Sequence, residues 1–481
     1  MEIHRLTRSY RNRLAPINRI PPEVLSSIPD FSDGHHRNVT AYTLTHVCRI
    51  WRQVFISRPS LWTDFCFLDA DKTRVYLERS RSFPINVRLV RANGLLPGDP
   101  FLQITPHVVH RLECLYIKTT PHDLHRIVDR LSYPAPLLNN LRINGSSDNP
   151  EINPVLGTTL FGGDLSSLHS LGLMSVRTNL PWRNMANLTS FFLHYALHPR
   201  VTVGQLLDFF ESAPRLSNVE LHFATPDVGA QTGGLLSMTN LRRLWFYGFR
   251  SPSLLLDHLL IPAGAKLETY LGIPSLRIED HLPRSLDDLR NLPSFNKICL
   301  RFNGNLVALE FSGPSGQVSM SAVFHSFDPT HSFLHYTTQL GVSNVTMLEI
   351  IGEPRCENLH QALTSMENLR AFTLSLCKNI RDFILALDPD PNPLNPIPCP
   401  NLKALLFRIK ERFDIENMVD VASARAERGV PFESIKIVTM SGAPLTPKWG
   451  VTELQKHVLQ VVTGFRVRYE VWGCDNDRDL E

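Results

Sequence analysis

Apolar residues recur through most of the chain in the pattern Leu-x-x-Leu-x-Leu, with Ile, Val or Phe as replacements. Ten copies begin, mostly 20–33 residues apart, at Leu112, Leu138, Leu168, Leu188, Leu216, Leu241, Val345, Leu369, Leu402 and Phe432. The last two apolar positions of a copy alternate with outward-facing ones, as in a β-strand with one buried face. A unit of this length provides one short strand and a returning helix or turn. The pattern predicts an irregular α/β solenoid over residues 86–481, with parallel strands on the concave side and helices or loops outside.

One stretch departs from the repeat. Ile298, Leu300 and Phe302 alternate with other residues, and Asn303-Gly304 follows. This dipeptide favours a two-residue hairpin turn. Two further alternating runs, 307–311 and 318–324, come next. The stretch predicts a three-stranded antiparallel β-meander inserted near residues 298–324.

The first 65 residues show helical periodicity instead. Pro21 and Pro22 open a first helix, where proline is tolerated, and its face carries Val24, Leu25 and Ile28. A second stripe has the 3.6-residue spacing of one helix and consists of Leu44, Val47, Cys48, Trp51 and Phe55. Residues 17–65 are therefore predicted to form a small helical module. A basic, disordered leader (1–16) precedes it and a connecting helix (66–85) follows.

The order of these residues resembles an F-box. The matching segments are Ile20-Pro-Pro-Glu-Val-Leu-x-x-Ile28, Leu44-Thr-His-Val-Cys-Arg-x-Trp51 and Phe55-Ile-Ser-Arg-Pro-Ser-Leu-Trp62. With the segment 69–80, they are similar to the F-box-like proteins abundant in mushroom-forming fungi, and the later pattern is that of leucine-rich repeats. The polar insert 32–40 departs from the F-box pattern, which has a tighter turn between its helices there.

The resemblance implies docking to the Skp-type adaptor of a cullin–RING ubiquitin ligase. The implied contact residues lie on the first helix and on the apolar face of the last helix. They are Ile20, Pro21, Val24, Leu25, Ile28, Leu44, Val47 and Trp51. The alternative interpretation is that Leu44, Val47 and Cys48 are ordinary core of a helical cap.

Exposed positions of the repeat strands provide candidate substrate contacts. Aromatic side chains beside cations are typical of protein-binding surfaces. The candidates are Tyr116, Arg142, Phe192, Arg243, Trp245 and Tyr247. We hypothesise that the neighbourhood of Arg243, Trp245 and Tyr247 captures an acidic or phosphorylated protein segment. The sequence thus predicts a substrate-recognition adaptor of a Skp–cullin–F-box ligase, and the alternative is a stand-alone leucine-rich-repeat scaffold with no ligase role.

Composition and motifs provide no support for several other classes of protein. The net charge of +3 does not indicate nucleic-acid binding, and no apolar run reaches the ~18 residues of a membrane helix. The eight cysteines include no C-x-x-C pair, which favours free thiols and a cytoplasmic or nuclear location. No phosphate-loop, zinc-protease or nucleophile-elbow motif occurs. The chain is therefore predicted not to be an enzyme and to bind no cofactor.

Two histidine pairs have metal-like spacing. They are His107-x-x-His110 and His122-x-x-His125, with Cys114 between them. Because they flank the first repeat strand, we interpret them as solvated loop histidines and predict no metal site. An enzyme with a dispersed site would need a deep pocket with convergent polar groups.

Overall fold

In the computed structural model the chain divides into two units, Met1–Leu241 and Arg242–Glu481, both of mixed α/β structure with parallel strands. The structure describes residues 7, 10, 14–31, 37–66, 70–90, 105–145, 155–156, 160–178, 184–194, 202–223, 234–249, 252–262, 264–271, 296–303, 306–313, 316–323, 345–352, 359–377, 380–390, 392, 394–409, 413–439 and 448–465. The predicted basic leader lies outside the described residues, except for positions 7, 10 and 14–16.

The first unit begins with a helical module. Its helices are α1 (Pro22–Ser27), α2 (Arg37–Leu44), α3 (Arg49–Ile56) and α4 (Ala70–Arg79), with 3-10 turns at Pro16–Arg19, Ile28–Phe31 and Pro59–Trp62. Pro22 is the first residue of α1, as the proline pair predicts. In the predicted connecting region 66–85, the helix is limited to α4, and residue 85 already begins a strand.

The apolar stripe from Leu44 to Phe55 lies on two helices rather than one. Helix α2 ends at Leu44, residues 45–47 form a turn, and Cys48 is extended (φ −158°, ψ 176°) before α3 begins. Arg52 spans the break, since its Nε donates to the Thr45 carbonyl at 3.0 Å. The prediction of one continuous helix was therefore wrong. Helix α2 also occupies positions 37–40 of the predicted polar insert, and positions 32–36 lie outside the described residues.

Two tryptophans dominate the core of the module. The buried residues are Leu25, Ala41, Trp51, Phe55, Leu61 and Trp62. The indole N–H of Trp62 donates to the Phe55 carbonyl at 2.9 Å, and its ring meets the edge of Tyr76 at 5.2 Å. The Arg79 guanidinium lies 4.3 Å above the same ring. Helix α4 therefore covers Trp62 and completes the core of the module.

The sheet of the first unit follows the module. Its strands are β1 (Asp64–Cys66), β2 (Ile85–Val90), β3 (Leu112–Lys118), β4 (Asn140–Asn144), β5 (Val155–Leu156), β6 (Ser170–Met174), β7 (Arg177–Thr178), β8 (Ser190–His194), β9 (Asn218–His222) and β10 (Leu236–Ser237). The connections include α5 (Pro106–Val109), α6 (Pro121–Val128) and α7 (Val203–Ser212). Strands β1, β2, β3, β4, β6, β8 and β9 pair in this order, all parallel.

The second unit has a mixed sheet. Its strands are β11 (Arg243–Tyr247), β12 (Leu259–Leu260), β13 (Lys266–Leu271), β14 (Lys297–Asn303), β15 (Leu306–Gly313), β16 (Gly316–Val323), β17 (Met347–Ile351), β18 (Ala371–Ser375), β19 (Ala404–Ile409), β20 (Ser434–Thr439) and β21 (Gln460–Phe465). Its helices are α8 (Ser253–Leu256), α9 (Leu359–Ser365), α10 (Ile380–Leu385), α11 (Ile415–Glu427) and α12 (Lys448–Leu454).

The predicted β-meander is confirmed as β14, β15 and β16, which pair antiparallel in sequence. The meander forms part of the sheet. Strand β16 pairs parallel with β13, and β14 pairs parallel with β17. Because three strands restore the original direction, β15 runs antiparallel to both of its neighbours, whereas β14 and β16 continue the parallel order. The final residue of the predicted meander, Phe324, lies outside the described part.

All ten predicted repeat copies end on a strand of a parallel pairing. In the first unit the register aligns Leu115, Leu141, Leu171, Phe191 and Val219, and all five are buried. This row packs the apolar side of the sheet, as the period-2 alternation predicts. The repeat pattern missed the parallel strands β1, β2, β13 and β21. In β13, Gly264 and the buried Thr269 stand where the pattern requires apolar residues.

A buried thiol in the second unit links stability to pH. Cys399 is fully buried, and its Sγ donates to the Leu363 carbonyl at 3.0 Å. Burial raises the pKa of the Cys399 thiol to about 12 from 9.0, and the Arg425 charge only partly offsets this. In the unfolded chain the thiol ionises at its ordinary pKa. The stability that the neutral thiol contributes is therefore present below pH 9 and lost progressively between pH 9 and 12.

We expect the wild-type chain to lose stability between pH 9 and 12 more steeply than Cys399→Ala, by on the order of a few kcal/mol. Urea unfolding of both proteins at a series of pH values measures the difference. Iodoacetamide at pH 8.5 should also alkylate exposed Cys66 and spare Cys399, as read by mass spectrometry. Parallel stability curves for the two proteins would contradict the burial of this thiol.

Candidate functional site

Part of the predicted adaptor-contact set is on the surface of the module. The side chains of Val24 and Val47 are 55% and 54% exposed, and Pro21 is exposed as well. Three further members pack partly against the core and are half-buried: Ile20, Ile28 and Leu44. These six residues leave apolar surface exposed on the first helix and at the turn between α2 and α3.

Leu25 and Trp51 belong to the core instead. Their side chains are 1% and 7% exposed, and the Trp51 indole N–H donates to Asn18 Oδ1 at 2.6 Å. The Trp51 ring also meets the edge of Phe55, with ring centres 6.0 Å apart. Both residues therefore support the module surface from beneath, and we correct their assignment from contact residues to core residues.

The module exposes other apolar side chains that the sequence analysis did not select. They are Ile17, Phe31, Val39 and Tyr42, with Phe31 the most exposed at 88%. Val39 and Tyr42 lie one turn apart on α2, in a segment that was predicted to be a polar insert and its flank. Their i, i+3 spacing was the available signal. Several large exposed apolar residues on so small a module are typical of a partner-binding surface.

On the sheet of the first unit, outward-facing residues form a row across the strands. The parallel register places Tyr116, Arg142, Gly172, Phe192 and Glu220 side by side on β3, β4, β6, β8 and β9. Neighbouring strands are about 4.8 Å apart. The row therefore brings three of the predicted substrate-contact residues into one small area.

Arg142 links the aromatic members of this row. Its guanidinium carbon lies 5.9 Å from the ring centre of Tyr116 and 5.5 Å from that of Phe192. Phe192 is two strands away, and the contact is possible because Gly172 stands between them. A Cβ on Gly172 would approach Arg142 Cγ to 3.1 Å and Cδ to 3.6 Å. Both rings therefore contribute cation–π attraction to one arginine.

Several charges on this face have partners. Arg88 lies 3.7 Å from Asp64, and Glu220 lies 3.9 Å from His222. Arg142 and its neighbour Lys118 on β3 are exposed. Within the part of the chain that the structure describes, neither makes a hydrogen bond or an ion pair. Their positive charges are therefore available to a ligand.

The residues of the predicted site in the second unit do lie together, but an acidic neighbour neutralises the charge of Arg243. The Arg243 guanidinium lies 4.7 Å from the Trp245 ring, yet its Nε donates to Glu268 Oε2 at 2.6 Å. Lys266 Nζ lies 2.9 Å from the other oxygen of Glu268. Burial alone would raise the pKa of Glu268, but hydrogen bonds from Lys266 and Arg243 outweigh it and hold this pKa below 4.5. Glu268 is thus ionised at neutral pH, and the hypothesis that Arg243 captures an acidic segment loses its physical basis.

The remaining residues of this face continue the same chemistry. Tyr247 stacks on Tyr270, with ring centres 4.7 Å apart and planes 11° from parallel. Glu349 receives two cations, Lys297 at 3.0 Å and Arg408 at 3.3 Å. Aromatic rings and paired charges therefore line this surface, which suits contact with another protein better than capture of an anion.

The two histidine pairs lie on the surface. His107, His110, His122 and His125 are all exposed. Across the described ranges, no three His, Cys, Asp or Glu side chains are grouped as metal ligands. No helix among the described residues combines the length and the apolar character needed to cross a bilayer.

No known protein-family model matches this chain, and no curated protein matches its sequence. The residues and contacts described above are therefore what support a function.

Proposed function

We propose that the protein is a substrate-recruiting adaptor of a Skp–cullin–F-box ubiquitin ligase. Residues 17–65 bind a Skp-type adaptor as an F-box, and the strands that follow form a leucine-rich-repeat surface that binds a protein substrate. The observation that carries the proposal is the exposure of Val24 and Val47 on a module whose core is otherwise complete. Ubiquitin transfer belongs to the assembled ligase, which gains from holding substrate lysines close to the ubiquitin donor.

Two features of the chain support these separate roles in adaptor binding and substrate binding. The F-box-like segment has its own core, built by Leu25, Trp51, Phe55 and Trp62 with their neighbours, and still exposes apolar side chains. Such surface in a small module indicates a partner. The sheets carry outward-facing rows in which half-buried aromatic side chains lie beside charged ones, as in protein-binding faces.

Val24→Glu combined with Val47→Glu should weaken binding of a Skp-type adaptor at least 30-fold, because a charge in an apolar contact costs about 2 kcal/mol or more. The stability of the chain should change by less than about 0.5 kcal/mol, since both side chains are largely exposed. Isothermal titration calorimetry with the purified adaptor and urea unfolding measure the two effects.

Leu394→Glu is the matched control. Leu394 is 89% exposed but lies in the second unit, far along the chain from the F-box-like segment. It should leave adaptor binding unchanged. If the wild-type chain binds no Skp-type adaptor, the ligase role is refuted and the stand-alone repeat scaffold remains. If the double variant binds as tightly as wild type, the docking surface is misassigned.

A further inference from the structure

The Arg142 guanidinium is held in place but its hydrogen-bonding capacity is unused. Tyr116 and Phe192 fix its position through ring contacts at 5.9 Å and 5.5 Å. Neither ring consumes any of the five N–H donors of an arginine. No described residue accepts a hydrogen bond from it. A preorganised cation with its donors directed to solvent is suited to a planar or tetrahedral oxyanion.

Lys118 supplies a second unpaired cation within reach. It is the next outward-facing residue after Tyr116 on β3, and Tyr116 pairs directly with Arg142. With about 4.8 Å between strands and about 6.6 Å along one, the two backbones at Lys118 and Arg142 lie about 8 Å apart. Two long side chains starting at this separation can meet on one anion.

The charge of the site favours phosphate over carboxylate. A phosphate monoester carries about −1.5 to −2 charges at neutral pH and three acceptor oxygens, whereas a carboxylate carries one charge. The two cations, Arg142 and Lys118, match the charge of a phosphate better than that of a carboxylate. This face is poorly suited to bind nucleic acid, because Arg88 forms an ion pair with Asp64 and Glu220 places an acidic side chain in the same row. Nucleic-acid binding requires extended runs of available cations.

We infer that Tyr116, Lys118, Arg142 and Phe192, here called the Arg142 cluster, bind a phosphorylated serine or threonine in a segment of a partner protein. Arg142 and Lys118 bind the phosphate, and the aromatic rings contact the adjoining peptide. The inference rests on the substrate-binding half of the proposed function and is independent of Skp-type adaptor docking. It moves the anion site from Arg243, which Glu268 neutralises, to Arg142.

The test uses the full chain and three immobilised degenerate peptide libraries, centred on phosphoserine/phosphothreonine, on Ser/Thr and on Glu. Wild-type protein should be retained at least tenfold better by the phosphorylated library than by the other two. Arg142→Ala should reduce retention to the level of the unphosphorylated library. Gly172→Val should weaken it at least fivefold while keeping every charge, because the new side chain displaces Arg142 from its position against Phe192.

Arg130→Ala is the matched control, since Arg130 is an exposed arginine on the 3-10 turn after α6. It should retain wild-type binding, and circular dichroism should be the same for all variants. The inference is overturned if Arg142→Ala binds like wild type, if the Glu library binds equally well, or if single-stranded RNA competes at equimolar concentration. Val24→Glu with Val47→Glu should leave phosphopeptide retention intact, so failure of adaptor docking is distinguishable from failure of this site.

Discussion

Trp51→Ala should lower the free energy of unfolding of the module by about 3–5 kcal/mol, the range for removal of a buried tryptophan side chain. Trp51 is 7% exposed, packs against Phe55 and donates its indole N–H to Asn18. Alanine would leave a cavity and remove the donor for the Asn18 amide oxygen. Urea unfolding followed by far-ultraviolet circular dichroism measures the loss without depending on the tryptophan signal.

Val47→Ala is the matched comparison, because Val47 belongs to the same F-box-like motif and is 54% exposed. It should change stability by less than about 0.5 kcal/mol. Comparing the two variants distinguishes a residue that stabilises the core of the module from one that lies on its contact surface. A Trp51→Ala chain that keeps wild-type stability and loses only adaptor binding would show that Trp51 is a contact residue after all.

The break between α2 and α3 explains why this surface could not be read fully from the sequence. The spacing of Leu44, Cys48, Trp51 and Phe55 fits one helix, and all four do pack toward the core. The pattern fixes which side chains face inward, but a turn at 45–47 can present the same stripe from two helices. Only Val47, in the turn itself, points away from the core and becomes exposed.

The repeat strands were predictable because parallel pairing preserves the alternation of buried and outward residues. The same regularity placed Tyr116, Arg142 and Phe192 in one row, although they are distant in sequence. The role of Gly172 was not predictable, since it depends on the absence of a side chain between two others. The absence of a side chain produces no recognisable sequence motif.

The error at Arg243 has a traceable cause. Its neutralising partner, Glu268, lies on β13, directly beside Trp245 in the register. The repeat pattern did not detect β13, because Gly264 and Thr269 occupy two of the three apolar positions of the copy. Without that strand, no acid was expected next to Arg243. These two departures from the pattern therefore concealed the ion pair that decides the chemistry of this face.

Arg425 illustrates the same limit inside the core. Its place in the last turn of α11 is typical of a solvated cation at a helix C-terminus, yet the side chain is fully buried. Its terminal nitrogens donate to the carbonyls of Pro398 at 2.7 Å, Cys399 at 2.9 Å and Leu387 at 3.4 Å. Burial lowers the pKa of Arg425 to about 10, so the guanidinium stays charged at neutral pH. It joins α11 to the segment before β19 that contains Pro396, Pro398 and Pro400, here called the proline-rich connection.

Arg425→Met should destabilise the second unit by about 2–4 kcal/mol and release that connection. Each hydrogen bond from a charged donor contributes about 1.5–3 kcal/mol, and the abandoned carbonyls add their own desolvation cost. Part of this loss is offset because methionine no longer buries a charge. Urea unfolding measures the net effect, and hydrogen exchange should show faster exchange at the amide of Leu402 in the variant.

Arg381→Met is the control, because the Arg381 side chain is 66% exposed and lies 3.8 Å from Asp414 in a surface ion pair. Such a pair contributes little, so the change should stay within about 0.5 kcal/mol. The Arg425→Met chain could instead be as stable as wild type, with unchanged hydrogen exchange before β19. The free-energy cost of burying the charge would then equal the stabilisation that its hydrogen bonds provide. In the variant, packing and the hydrogen bonds from Cys399 to the Leu363 carbonyl would then hold the proline-rich connection.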